Sequence, residues 1–383
     1  MRVTWQGLSP AAVALTLALA GWRGAPAFAG NADAAIAAAL AKVSAQSPRE
    51  YPEIVTPLPE AAAMADMPTA RVLALLGYWN PAMRSRAAAE LGQRGDDVIP
   101  LLRQALASES PERRAGALDA FHRMIRHRAR HWQEFRPEET NHRVAQDSIR
   151  REFADLLLDP VLGLTRDPEW RVRREALSVI GELGVRNRQV SLAVLERSVD
   201  EDEYIADFAS RVLHRNVGLS DLEPEVVLPF LRQAFQNPLP RGKGHLMALI
   251  AESGTSFHRA LIPEMLAHLD WQPDRDTMFG AGGQAEAVRL LTELRVEELV
   301  PRLPALMDKP MRGPGLFDPS VASIQAFGPE ARPILPDLRE RIAGKEAELE
   351  ALAGRDDRRS RQRAEQLQNR LEALGKAVSH VEP

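Results

Sequence analysis

The chain has 383 residues, with 49 Lys and Arg against 53 Asp and Glu, for a formal net charge of −4. Apolar residues make up 45% and aromatics only 5%, which excludes both a disordered polyelectrolyte and a membrane bundle. The near-balanced charge argues against nucleic-acid binding, and the lack of cysteine excludes disulfides, a thiol nucleophile and a zinc–thiolate site.

Residues 1–29 read as a secretory signal. Arg2 supplies a thin positive start, Ala11 to Ala20 is an unbroken apolar stretch, and Pro26-Ala27-Phe28-Ala29 presents small residues at the −3 and −1 positions. The expected cleavage lies between Ala29 and Gly30, with export to the periplasm or beyond. The apolar stretch is about half the ~20 residues that a membrane-spanning helix needs, so no integral membrane segment is expected in the mature chain. Cleavage would remove Arg2 and Arg23 and no acid, leaving 354 residues at −6.

Residues 30–59 read as an Ala-rich helix and a linker carrying Pro48, Pro52, Pro57 and Pro59. From 60 to 343 a repeat dominates, opened by a helix near 60–79 that would cap the array. Pro100, Pro229, Pro263, Pro301 and Pro336 sit in one local pattern. Ile, Leu or Val precedes each, and apolar residues follow at two and six positions, as in Leu102 and Leu106. Ala193 holds the proline place in a sixth copy. From there the steps are 36, 34, 38 and 35 residues, enough for two helices of about 12 and their turns. Apolar steps of three and four mark a helix face, and proline suits a first turn, where no N–H is needed.

The partner helices open on Asn80-Pro81, Ser110-Pro111, Asp167-Pro168 and Asp318-Pro319, each joining a capping side chain to a proline. Ala-rich segments ending in Leu91-Gly92 and Ile180-Gly181 follow. This succession, Asn/Ser/Asp-Pro-x-x-Arg, then Ala-x-x-x-Leu-Gly, then Ile/Val-Pro-x-Leu, resembles HEAT repeats, in particular the short phycobilisome-lyase type. The copies at 80–107, 167–199 and 318–342 fit best. The copy at 237–269 is degenerate, with Arg241-Gly242-Lys243-Gly244-His245 at its opening. The resemblance implies an all-α, right-handed solenoid of about seven helical hairpins that serves as a curved scaffold for a protein or peptide. Arg84, Arg114 and Arg173 recur at one helix position, where such arrays use a ladder of bonds to neighbouring repeats.

An insertion at about 122–148 concentrates positive charge. His122 to Arg136 holds five arginines, three histidines and two aromatics against one glutamate. Arg126, Arg128, Arg130, His131, Trp132 and Phe135 are the candidate partner-binding residues, suited to an acidic protein segment or an acidic polysaccharide. The competing reading is a helix extended past its usual end, its arginine stems and aromatics packed on apolar surface. His127 and His131 share a helix face, with Glu134 one turn on, but the surrounding arginines oppose a metal ion there. Trp170 and Trp271 read as core, and Gly280–Gly283 and Gly313–Gly315 as loops.

The tail, 344–383, is densely charged, with leucines at 349, 352, 367, 371 and 374. Its steps of three and four predict helix, with a break into a hairpin expected near Gly354. It would either cap the last repeat or dimerise as a coiled coil, and two or three interrupted heptads favour the cap. No nucleophile elbow, cofactor fingerprint or phosphate loop occurs, so no catalytic residue, cofactor or metal is expected. A non-catalytic, exported binding scaffold is the leading expectation. Capture of an acidic polymer is second. A lyase-like enzyme is third, and only the resemblance suggests it.

Overall fold

A computed structural model describes residues 64–78, 80–219, 222–237, 240–271, 283–309, 315–355 and 357–382, with Pro240 and Arg241 described in backbone alone. The expected signal with its Ala29–Gly30 junction, the segment 30–59, Gly280–Gly282 and Gly313-Pro314 lie outside these residues. Every regular element among the described residues is helical. The helices group into two compact units, one ending at Leu183 and the other beginning at Gly184.

In the first unit, α1 (Thr69–Ala74) leads through a tight turn at Leu75–Gly77 into α2 (Pro81–Gln93). Asn80 caps α2, its side chain accepting from the Ala82 amide at 2.9 Å, with proline at the first helical position. The same device opens α4 (Pro111–Arg130), where Ser110 accepts from the Arg113 amide. Between them, α3 (Ile99–Leu106) has Pro100 in its first turn. The short α5 (Trp132–Phe135) then leads to α6 (His142–Leu164), capped by Asn141, and to α7 (Trp170–Leu183).

Helices α2, α4 and α7 pack side by side as one layer, and α3 and α6 pack against α4. Small residues permit this closeness. A methyl group on Gly92 would come within 2.9 Å of the Arg123 Cβ, and one on Gly116 within 2.9 Å of the Leu76 carbonyl. Leu91, Leu102, Leu118, Phe121, Ile149 and Phe153 form the core and are excluded from solvent. The recurring arginines do one local job. Arg84, Arg114 and Arg173 each donate to the carbonyl six residues earlier, at 2.7, 2.8 and 3.0 Å, and so tie the inter-repeat turn to its helix. Arg114 also grips both carboxylate oxygens of buried Asp167, at 2.8 and 2.9 Å, linking consecutive hairpins.

In the second unit, α8 (Arg188–Arg197) is capped by Asn187 and α9 (Glu203–Val212) by Asp202. Next come α10 (Pro224–Ala234), α11 (Pro240–Ala251), α12 (Thr255–Ala260), α13 (Ile262–Asp270) and α14 (Gln284–Glu293). The unit closes with α15 (Leu303–Met307), α16 (Phe317–Phe327), α17 (Leu335–Ala351) and α18 (Arg358–Val381). Helices α9, α11, α14 and α16 pack in succession, and α18 takes the next place in that layer. It runs back along α17, with Arg363 bonded to Glu348 at 2.7 Å and Arg339 to Glu382 at 2.5 Å. Leu367, Leu374, Ala377 and Val381 are buried, so the apolar stripe of the tail is used within its own chain.

In chain order the described helices alternate between the first-helix layer and its partners within each unit, an all-α solenoid architecture. Four local expectations need correction. Pro229 lies inside α10, which begins five residues earlier on Pro224, and Pro301 lies inside a 3-10 turn, Glu297–Arg302, ahead of α15. Asp318 does not cap α16, because that helix already starts at Phe317 and Asp318 falls in its first turn. Asp167 does not cap α7, which starts three residues later at Trp170, with the Glu169 carbonyl accepting its first amides.

Candidate functional site

The exposed side of the α2–α4–α7 layer holds a groove of about 800 Å³. Its floor is made of the small residues Ala89, Gly92, Ala115 and Gly116, which leave backbone close to the surface. Six arginines line it: Arg84 from α2, Arg123, Arg126 and Arg130 from α4, and Arg171 and Arg174 from α7. Two carboxylates, Asp119 and Glu175, share the lining, and both are engaged. Asp119 receives the Arg123 Nε at 2.8 Å, and Glu175 is paired with Arg174. The lining therefore holds more arginines than carboxylates over a small-residue floor, with Arg126 and Arg171 also approaching Glu182 and Glu169 outside it at 3.9 and 4.0 Å.

Electrostatics inside the groove agree with that count. Burial, and then the facing Arg171, lowers the Arg84 guanidinium from its usual value. Burial, and then Arg126, pushes the His122 imidazole down, and burial with neighbouring His131 does the same for His127. Glu175 is pushed up by burial despite Arg174 beside it. Burial leads each shift, and for Arg84, His122 and His127 the next cause is a neighbouring basic group.

Of the six residues singled out in sequence, the structure brings some together and separates others. Arg126 and Arg130 are exposed on one face of α4 and form a ridge. The groove lies on one side of this ridge. On the other is a second cavity of about 430 Å³, lined also by Trp132, His142, Arg150 and Glu182. Glu182 approaches Arg126 at 3.9 Å and Arg150 at 3.6 Å, and no ion pair involves Arg130 among the described residues. Arg128 points the other way. It is 6% exposed, donates to Asp96 at 2.5 Å, and lies 5.2 Å from the ring centres of both Phe135 and Phe153.

Phe135 is thus half-buried packing beneath Arg128, with its edge toward His127 at 6.1 Å. His131 is exposed, its ring centre 4.6 Å from that of His127 and its Nδ1 3.5 Å from Glu134. Residues 122–130 are the last turns of α4, continuous with the repeat helix rather than a projecting insertion. Trp170, read as core, is 42% exposed on the groove rim, with the Arg171 guanidinium 5.4 Å from its ring centre. Arg84, Arg123, Arg171 and Arg174 were not singled out for binding. Their signal was present: Arg171–Arg174 and Arg123–Arg126–Arg130 keep helical steps of three and four on two neighbouring helices.

No family model matches the chain, and neither does any curated protein. Among solved structures, an engineered protein is similar at 12% identity and a TM-score of 0.45, over 84% of this chain and 93% of that one. Yeast importin-β (Kap95p) is similar at 14% identity and a TM-score of 0.30, over 98% of this chain. This chain spans 42% of the importin-β length. These likenesses are loose, and the repeat reading stands on the capped hairpins themselves. The fold is an all-α array of paired helices. The groove lies on three helices of one layer, α2, α4 and α7. Among the described residues, no helix is long and apolar enough to cross a membrane.

Proposed function

We propose that the chain is a non-catalytic binding scaffold whose α2–α4–α7 groove receives an acidic segment of a partner protein. One observation carries this reading: six arginines face a shared cleft in which the only two carboxylates are already paired. Guanidinium groups in a partly desolvated cleft bind carboxylates in bidentate fashion, and a floor of glycine and alanine lets a peptide backbone approach. The cleft volume lies in the range that holds a short peptide stretch rather than a folded face.

The exposed Trp170 ring beside Arg171 favours a second reading, an acidic polysaccharide whose sugar faces stack on the indole. Export is part of the same proposal and is supported by the three-part pattern of residues 1–29. N-terminal sequencing of the protein from the extracytoplasmic fraction checks it, with Gly30 expected as the first residue.

Fluorescence anisotropy with a labelled Glu/Asp-rich peptide tests the groove. Binding should weaken steeply between 50 and 200 mM salt, and the R126A/R130A double variant should lose at least about tenfold in affinity. Equal affinity in the double variant contradicts the reading. Binding of a sulfated oligosaccharide in preference to the peptide selects the second reading.

A further inference from the structure

In the second unit, three departures from repeat regularity meet at one place. The end of α9 widens into a π-helical turn, Leu213–Val217, which closes at Gly218 with φ at +81°. Such turns are rare and concentrate at functional sites. Opposite it, α11 carries Gly242-Lys243-Gly244-His245 near its start, in place of the alanine-rich openings elsewhere. The wide turn and the small residues let His214 and His245 meet. Their Nδ1 atoms are 3.1 Å apart and their rings are tilted by 36°. At the far edge of the His214 ring, Nε2 lies 3.6 Å from a carboxylate oxygen of Glu252. Glu252 follows His245 by seven residues, about two helical turns, in the turn that ends α11, so His245 on α11 and the residue just past its end are the two partners of the ring.

The Glu252 carboxylate is an electrostatic neighbour of His214 Nε2 at 3.6 Å, while the Nδ1 edge of the same ring faces His245. A carboxylate behind an imidazole is also the usual means of orienting a metal-ligating histidine. Two Nδ1 atoms this close share either a proton or a cation. A cation about 2.05 Å from each would see them at an angle of about 98°, between the octahedral and tetrahedral values. Lys243, the nearest cation along α11, is turned against the Trp271 ring, 5.1 Å from its centre. Imidazole nitrogens select Zn²⁺, Cu²⁺ or Ni²⁺ over Mg²⁺ or Ca²⁺. Among the described residues no three His, Asp or Glu side chains gather as a metal-binding group, so water would complete the coordination.

We propose that His214 and His245 form a binding site for a borderline divalent transition-metal ion, oriented by Glu252 and pinning α9 to α11. The site shares no residue with the basic groove and stands independently of the function proposed there. Its role is to stabilise the second unit, because an ion held only by the folded arrangement raises the stability of that arrangement.

Calorimetric titration of Zn²⁺ into the metal-free full chain tests this. One equivalent should bind, and the unfolding midpoint should rise with Zn²⁺. His245→Gln should abolish that binding, and Glu252→Gln should weaken it by about 10- to 100-fold. The Glu252 side chain is 67% exposed, so its variant folds, and metal-free unfolding of each variant separates lost binding from lost structure. A His127→Gln/His131→Gln chain should bind as the wild type does. Absence of stoichiometric binding, the result that a proton-sharing pair gives, overturns the proposal. So does binding that survives His245→Gln or is lost in the His127→Gln/His131→Gln chain.

Discussion

Arg126, Arg128 and Arg130 sit within five residues of one another, yet the helix assigns them opposite work. Steps of four keep Arg126 and Arg130 on one face, while a step of two turns Arg128 about 200° away, into the core. There its stem and guanidinium lie between Phe135 and Phe153, and its charge is met by Asp96. Arg128→Ala should therefore destabilise the first unit by about 2 kcal/mol, from lost packing and cation–π contact. Arg126→Ala should stay within about 0.5 kcal/mol in urea unfolding, as exposed substitutions do. The basic run was visible in the sequence, and its division was not. That division depends on where α6 brings Phe153 and where the turn before α3 brings Asp96, both set by tertiary packing.

The groove histidines give a second residue-scale consequence. Burial lowers His122 and His127, so the fold favours their neutral forms. The unfolded chain takes up protons first, and the stability they contribute is lost as pH falls through the ordinary histidine value of about 6.5. An anion in the groove acts in the opposite sense, raising both imidazoles and drawing in protons. Affinity for an acidic peptide should therefore rise between pH 7.5 and pH 5.5. A His122→Gln/His127→Gln chain should show a flatter profile in the same anisotropy measurement.

Among the elements, spacing between first helices governs the site. Gly116 allows α4 to approach the Leu75–Gly77 turn, and an added methyl would meet the Leu76 Cβ and carbonyl oxygen, each at 2.9 Å. Gly116→Ala should cost about 1–3 kcal/mol and lower the melting midpoint, because backbone atoms cannot give way as a flexible side chain can. Helix pairing was legible from the prolines and capping residues, since Asn80 and Ser110 act locally. Pro229 and Asp318 misled for the same reason. A helix that starts earlier, on Pro224 or Phe317, changes what each residue does without altering the motif. Trp170 was misread because burial at the first position of α7 depends on neighbouring helices, which sequence spacing leaves unspecified.

For the whole molecule, charge placement outweighs the total. A chain at −4 carries one cleft in which arginines outnumber carboxylates six to two. The tail adds α18 to the layer of first helices, burying Leu367 and Leu374 against its own chain. The repeat period disclosed the architecture, whereas the groove arises from three helices separated by up to about ninety residues in the chain. Its lining could not be assembled from any single motif. The central claim concerns location, and hydrogen exchange with and without a saturating Glu/Asp-rich peptide tests it most directly. The account predicts added protection in 81–93, 115–130 and 170–178, strongest around Arg126 and Arg174. Protection absent from these segments, or confined to residues after Gly184, would contradict it.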